Sequence, residues 1–196
     1  MDSVGPISYT NRKGKTYYLH AVTRKSGKTS YVMKLSEESA LTELPEGYSI
    51  SESVNGQVSV GRAEPRATTE REEAEVAAIL LDLGLKGYRC VAKGPYITVY
   101  EPLLSEEDLR ETYSFLAGPF MAGLDSLISE KLDRGPHGPV MRFRLVDEEQ
   151  RLFTVERMTY RGDGRWHSLT GNGAPLPEVT RKYLAHLGRE SFFDLI

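Results

Sequence analysis

The chain has 196 residues, of which 39% are hydrophobic and 27% charged, with a formal net charge of -3 and a single cysteine, Cys90. That balance is ordinary for a globular chain and argues against a disordered or fibrous class. One cysteine excludes an internal disulfide and a thiolate metal cluster within one chain, and no run approaches the roughly 20 apolar residues of a membrane helix.

The first residues, M-D-S-V-G-P-I-S, lack the basic start and apolar core of a signal peptide, so a cytosolic setting is expected. Charge then becomes uneven. Residues 1–35 hold Arg12, Lys13, Lys15, Arg24, Lys25, Lys28 and Lys34 against Asp2 alone, a net +6, whereas residues 36–62 net -4. The stretch Arg12 to Leu35 also repeats itself: Gly14-Lys15-Thr16-Tyr17-Tyr18 returns thirteen residues later as Gly27-Lys28-Thr29-Ser30-Tyr31. β-branched and aromatic runs around a Gly-bearing polar turn predict a β-hairpin.

A polar connection closed by Pro45 and Gly47 leads to a second predicted hairpin, Tyr48–Ser53 and Gln57–Gly61, around Val54-Asn55-Gly56. Asn-Gly in this setting predicts a type I′ turn, which needs positive φ at both residues. Residues 8–62 thus read as a four-stranded antiparallel module, too small to bury much surface alone. Composition shifts at residues 62–67, which divides the chain into a basic β-hairpin module, residues 1–62, and an α+β domain, residues 68–196.

In the second part, Thr68 or Thr69 caps a helix with Glu70, Glu72 and Glu73 in its first turn and Val76, Ile79, Leu80 and Leu83 as its stripe. Gly84 stops it, with Leu85 placed to touch Leu80 in a Schellman ending. A third hairpin, Tyr88–Lys93 and Tyr96–Glu101, turns at Gly94-Pro95. Ser105 between Leu104 and Leu109 starts a helix near Glu106 that should end at Gly118-Pro119. Another is predicted from about Phe120 to Leu132, with Met121, Leu124 and Ile128 on one side, and residues 134–139 form a loop.

From Val140 the period is two, with Met141, Phe143 and Leu145 alternating against Arg142 and Arg144, as in a strand with one wet face. Leu152–Tyr160 returns, Arg165–Leu169 adds a third strand, residues 170–175 make a loop, and a last helix spans Pro177–Leu187 with Gly188 as its stop. The apolar tail from Ser191 should dock on the core. Hairpins in place of strand–helix–strand crossovers give an α+β class with a mainly antiparallel sheet.

The N-terminal run T-N-R-K-G-K-T-Y-Y-L-H, followed by G-K-T-x-Y, L-P-E-G-Y and N-G-Q-V, resembles a module in a family of uncharacterised bacterial proteins. The ending H-L-G-R-E-S-F-F-D-L-I is similar to their close. The resemblance implies a bacterial cytosolic setting and carries no activity, cofactor or catalytic residue.

Both Gly-Lys-Thr triplets suggest a phosphate loop, but the glycine such a loop needs five residues earlier is Tyr9 or Val22, and strand follows each triplet where a helix is required. The basic hairpin is the stronger candidate. Arg12, Lys13, Lys15, Arg24, Lys25 and Lys28 would neutralise phosphates, and Tyr17, Tyr18 and Tyr31 would stack on bases. Against this stands a plainer role, in which the tyrosines pack the module and the lysines blunt an edge strand, or meet an acidic protein. Neither face of the hairpin is cleanly apolar, so the sequence does not assign the tyrosines to core or surface.

His20, His137, His167 and His186 lack zinc-ligand spacing, and no metal or other cofactor is expected. His137 and His167 are the two to test for a pocket. Glu101, and the run Asp147-Glu148-Glu149, have nothing that would raise a carboxyl pKa. No G-x-S-x-G elbow is present, Arg161-Gly162-Asp163 reads as a turn, and Gly171-x-Gly173 is not a dinucleotide fingerprint. The expected function is a non-enzymatic binding or accessory protein that contacts nucleic acid or another anionic partner through the basic hairpin. The alternatives are a protein–protein module, or an enzyme with a site between the two parts.

Overall fold

The computed structural model describes residues 5–117, 123–159 and 164–195, which fall into two compact units divided between Glu64 and Pro65. The fold is α+β, with all described strand pairs antiparallel.

In the N-terminal unit β1 (Ser8–Thr10), β2 (Thr16–Thr23) and β3 (Thr29–Lys34) form one sheet in that order, and β4 (Tyr48–Glu52) pairs with β5 (Val58–Arg62) as a separate hairpin. Both hairpins lie where their turns put them. The addition is β1, whose three residues are too few to show a period, so the unit has five strands in two sheets where four were expected. Tyr31 on β3 meets Tyr48 on β4 edge to face, with ring centroids 4.9 Å apart. The Tyr9 hydroxyl donates to Glu52 Oε2 at 3.1 Å. Among the described residues of this unit, Leu19 and Val58 are its buried apolar side chains, a thin core for its size.

The turn at Asn55-Gly56 departs from type I′. Of its residues Gly56 alone has positive φ, 78°; Ser53 N–H donates to Gln57 O at 2.9 Å and Gly56 N–H to Ser53 O at 2.8 Å. Three loop residues separate the paired ends instead of two, and a loop of that length closes as a type I turn followed by a left-handed glycine.

In the C-terminal unit, α1 (Glu70–Asp82) begins on Thr69, whose hydroxyl accepts the Glu72 N–H while the Glu72 carboxylate accepts the Thr69 N–H, a reciprocal cap. It ends as expected: Leu85 N–H donates to Leu80 O and Gly84 N–H to Leu81 O, at 3.1 and 2.9 Å. The strands β6 (Arg89–Lys93), β7 (Tyr96–Pro102), β8 (His137–Asp147), β9 (Leu152–Met158) and β10 (Trp166–Ser168) lie side by side in chain order, and β11 (Ala174–Pro175) pairs with the start of β9. Two helices, α2 (Glu106–Ala117) and α3 (Leu124–Arg134), interrupt the meander between β7 and β8 and share a small cluster of Leu124, Ile128 and Leu132 with Leu104, Leu109 and Tyr113. The last helix is α4 (Leu176–Leu184). Helices α1 and α4 cover one sheet face, where Val76, Ile79, Leu176 and Leu184 bury Ile97, Val99, Met141, Phe143, Phe153 and Val155.

Three boundaries differ from expectation. β8 starts at His137 instead of Val140, because Pro139 falls where the ladder shifts register opposite Tyr100 and an irregular position tolerates proline. β11 forms inside the expected loop 170–175; two residues give no alternation to detect. α4 stops at Leu184, although Leu187 is still buried in the turn that follows. The Gly118-Pro119 stop, the expected helix start at Phe120 with Met121, the end of β9 at Tyr160 and the Arg161–Asp163 turn lie outside the described residues. In the tail Phe192 enters the core while Phe193 is 70% exposed.

A polar contact joins the start of α1 to the turn between β8 and β9. Arg151, at φ 52°, donates from Nε to Glu72 Oε1 at 2.9 Å and also reaches Oε2 and the Ala67 carbonyl. Burial pushes the Glu72 carboxyl up, but Arg151 and the Thr69 N–H outweigh it and hold the group below its ordinary value. A depressed folded-state pKa contributes stability that is present above the unfolded carboxyl pKa and is lost as pH falls through the folded one. Glu72→Gln is therefore expected to flatten the acid limb of a stability-against-pH curve below about pH 4.3, the ordinary glutamate value, as followed by urea unfolding. An acid limb as steep as that of the native chain would contradict this.

Candidate nucleic-acid interface

The basic residues sit on two turns with the same geometry. In Asn11-Arg12-Lys13-Gly14-Lys15, Asn11 N–H donates to Lys15 O and Gly14 N–H to Asn11 O; in Arg24-Lys25-Ser26-Gly27-Lys28, Arg24 N–H donates to Lys28 O and Gly27 N–H to Arg24 O. Gly14 and Gly27 have φ of 76° and 78°, the left-handed position that closes a three-residue hairpin loop. This is also the form of the Val54–Gly56 loop.

The two turns lie at opposite ends of β2. Eight residues at 3.3–3.4 Å each put them about 25 Å apart. Arg12, Lys13 and Lys15 therefore form one group and Arg24, Lys25 and Lys28 another. Lys13, Lys15, Arg24, Lys25 and Lys28 are exposed and Arg12 is half-buried.

Pleating divides the tyrosines as well. Tyr17 is paired with Tyr9, and Ala21 with Tyr31, so Tyr9, Tyr17, Leu19 and Tyr31 share the face that carries the contacts to β4. Tyr18 points the other way, opposite Lys34 and beside His20. All three predicted tyrosines are half-buried. Tyr17 and Tyr31 line the side that carries the contacts to β4, whereas Tyr18 lies on the opposite face. His20 is buried, with Nε2 2.8 Å from Ser36 O.

The first turn is held by residues that charge and motif did not single out. Asn11 is 4% exposed; its amide donates to Gly56 O at 2.6 Å, and its Oδ1 accepts the N–H groups of Lys13 and Lys15 at 3.0 and 2.9 Å. Glu52 accepts the Arg12 N–H at 3.0 Å as well as the Tyr9 hydroxyl. Burial and then this carboxylate push the Tyr9 hydroxyl above its ordinary pKa. The signal was available in the sequence, since an asparagine three residues ahead of a turn glycine commonly bonds its own loop.

The aliphatic stem of Lys13 lies over Gly56, where a Cβ would sit 3.2 Å from Lys13 Cδ and Cε; around Gly27 a Cβ would meet nothing within 4 Å. Both glycines have φ 78°, so alanine at either is expected to cost about 1–2 kcal/mol of backbone strain. Gly56→Ala should cost measurably more than Gly27→Ala in chemical denaturation because Lys13 must also move. Equal costs would show that Lys13 does not pack there.

Among the described residues, ion pairs occupy many cations of the C-terminal unit, including Arg66 with Glu73 at 2.7 Å, Arg110 with Asp125 at 2.8 Å, and Arg89 with Asp133. Lys13, Lys15, Arg24, Lys25 and Lys28 form none.

The other candidates are dispersed. His137 is buried with its ring nitrogens 2.9 and 2.8 Å from the Gly135 and Gly87 carbonyls, His167 is exposed on β10, and His186 Nδ1 lies 2.9 Å from Ser191 Oγ. Among the described residues no three His, Cys, Asp or Glu gather as metal ligands. Glu101 lines a cleft of about 290 Å3 with Val140, Arg189 and Phe192, a cleft that neither His137 nor His167 reaches. Burial, and then Glu101, pushes the Tyr88 hydroxyl up to about 12. Cys90 is partly buried against the core cluster, and burial and then Glu73 raise its thiol to about 12. Asp147 accepts the Gln150 N–H within its turn, and a Cβ at Gly173 would strike Leu152 and Val146. Both triplets run into strand, β2 and β3, and no described helix is long and apolar enough to cross a membrane.

No protein-family model, no curated protein and no solved structure matches the chain, so its likeness to the bacterial proteins noted above rests on the quoted residues alone.

Proposed function

We propose that the chain is a cytosolic, non-enzymatic binding or accessory protein whose N-terminal unit contacts the phosphate backbone of nucleic acid through two basic turns. The observation that carries this reading is the set of five exposed cations on the turns of one small sheet that have no carboxylate partner among the described residues, in a chain of net charge -3. Binding releases phosphate counterions, and the two groups, about 25 Å apart along β2, suit an extended polyanion better than a compact one. With Tyr17 and Tyr31 on the side that carries the contacts to β4, recognition is by charge and spacing instead of base stacking. Edge protection is the weaker account. The edge strands β1 and β3 hold only Lys34, whereas a protected edge carries its charges within the strand.

Fluorescence anisotropy of the full chain with labelled duplex across a salt series tests the reading. Affinity is expected to fall steeply and log-linearly with salt, and absence of binding at low salt would overturn it. A second reading, protein–protein contact, has Leu81 of α1 and Phe115 of α2 in its favour, 80% and 88% exposed. It predicts self-association or partner capture that survives high salt.

A further inference from the structure

The sheet of the C-terminal unit has a second face, opposite α1 and α4. Register places Arg89, Val91 and Lys93 of β6, Tyr96 and Thr98 of β7, Arg142 and Arg144 of β8, Thr154 and Glu156 of β9, and Trp166 of β10 on it. None of these belongs to the core cluster, and Lys93 and Arg144 are exposed. Of its cations Arg89 pairs with Asp133 and Arg142 with Glu156, while Arg144 forms no ion pair among the described residues.

At the middle of this face the Arg142 guanidinium lies between two rings, 4.3 Å from the Tyr96 centroid and 4.2 Å from the Trp166 centroid, with Nε bonded to Glu156. Each ring turns one face to the guanidinium, and both residues are half-buried. Glu156 holds the guanidinium through Nε, so the two rings are ordered around it before any ligand arrives, which removes ordering cost from binding. Ordered rings and a planar cation on an antiparallel sheet, flanked by hydroxyls and an exposed arginine, suit unpaired bases and their phosphates.

We infer that this face binds single-stranded nucleic acid by base stacking on Tyr96 and Trp166, with Arg144 on the phosphates. The inference uses no residue of the N-terminal turns and stands or falls independently of them. An acidic peptide would satisfy the cations but would have no use for the ordered rings.

Trp166 is the only tryptophan, so its emission reports on this face alone. The full chain is titrated with a short oligothymidylate and, separately, with polyglutamate. The expected result is saturable quenching by the oligonucleotide and none by polyglutamate. Tyr96→Ala should weaken the oligonucleotide by roughly 5- to 150-fold, with Tyr96→Phe restoring it. Arg144→Gln, at an exposed position that cannot disturb the core, should lower the salt slope by about 0.7. Lys131→Gln, exposed on α3 and belonging to neither surface, should leave the quenching in place. Absent quenching, equal quenching by polyglutamate, or an unchanged slope in Arg144→Gln would overturn the inference.

Discussion

Leu19→Ala is expected to unfold the N-terminal unit and abolish its nucleic-acid binding, although Leu19 touches no ligand. The side chain is fully buried in the middle of β2, and Val58 is the other buried apolar residue described in the unit. Truncating a buried leucine costs about 2–5 kcal/mol, which is comparable to all the stability that a unit of this size can hold. Because β2 carries one basic turn at each end, its loss removes the spacing between them as well as the fold. Circular dichroism and urea unfolding read the first effect and anisotropy the second. Leu19→Met, which keeps the volume, should cost less than about 1.5 kcal/mol and retain binding. Full binding by a Leu19→Ala chain that has lost its sheet would mean that the cations act as a flexible basic tail.

The second large effect is electrostatic. Arg24→Gln/Lys25→Gln/Lys28→Gln empties one turn without touching a buried group, since all three side chains are exposed and hydrogen bonds within that loop are made by its backbone. If each cation meets one phosphate, the slope of log K against log salt should fall by about 2.7, and affinity at 0.15 M salt should drop on the order of 100-fold. Stability should be unchanged within about 0.5 kcal/mol. At the other turn, Lys15→Gln alone removes one of three cations and should lower the slope by about 0.9. An unchanged slope in the triple variant would place the phosphate contacts elsewhere.

Much of the architecture was legible because it is written in local chemistry. Thr69 with Glu72, Gly84 with Leu85, and the alternation from Met141 to Leu145 each name their structure through a cap, a stop or a period, and each forms as named. What escaped had no such signature: β1 and β11, of three and two residues, are strands only because a neighbour pairs with them. Missing β1 had a consequence for the site. Without it Arg12–Lys15 is simply the lead-in to a hairpin, and the basic stretch looks like one patch. With it the same residues become a turn of their own, and an eight-residue strand holds two patches apart. The tyrosines were illegible for a related reason, because the face on which Tyr17 and Tyr31 lie is decided by Glu52 and Tyr48, which come from the other hairpin. Arg142 was correctly placed on the wet face, but its stack needs Trp166 from two strands away, a juxtaposition that only the sheet order supplies.

Lysine footprinting reads the central claim most directly. The full chain is acetylated with a water-soluble reagent in the presence and absence of duplex at low salt, and modification is quantified residue by residue by mass spectrometry. Protection is predicted at Lys15, Lys25 and Lys28 together, reversed by raising the salt, with Lys131 and Lys182, exposed on α3 and α4, labelled equally in both states. Protection confined to one turn, or equal labelling of all five lysines while duplex is bound, would contradict a polyanion that spans both ends of β2.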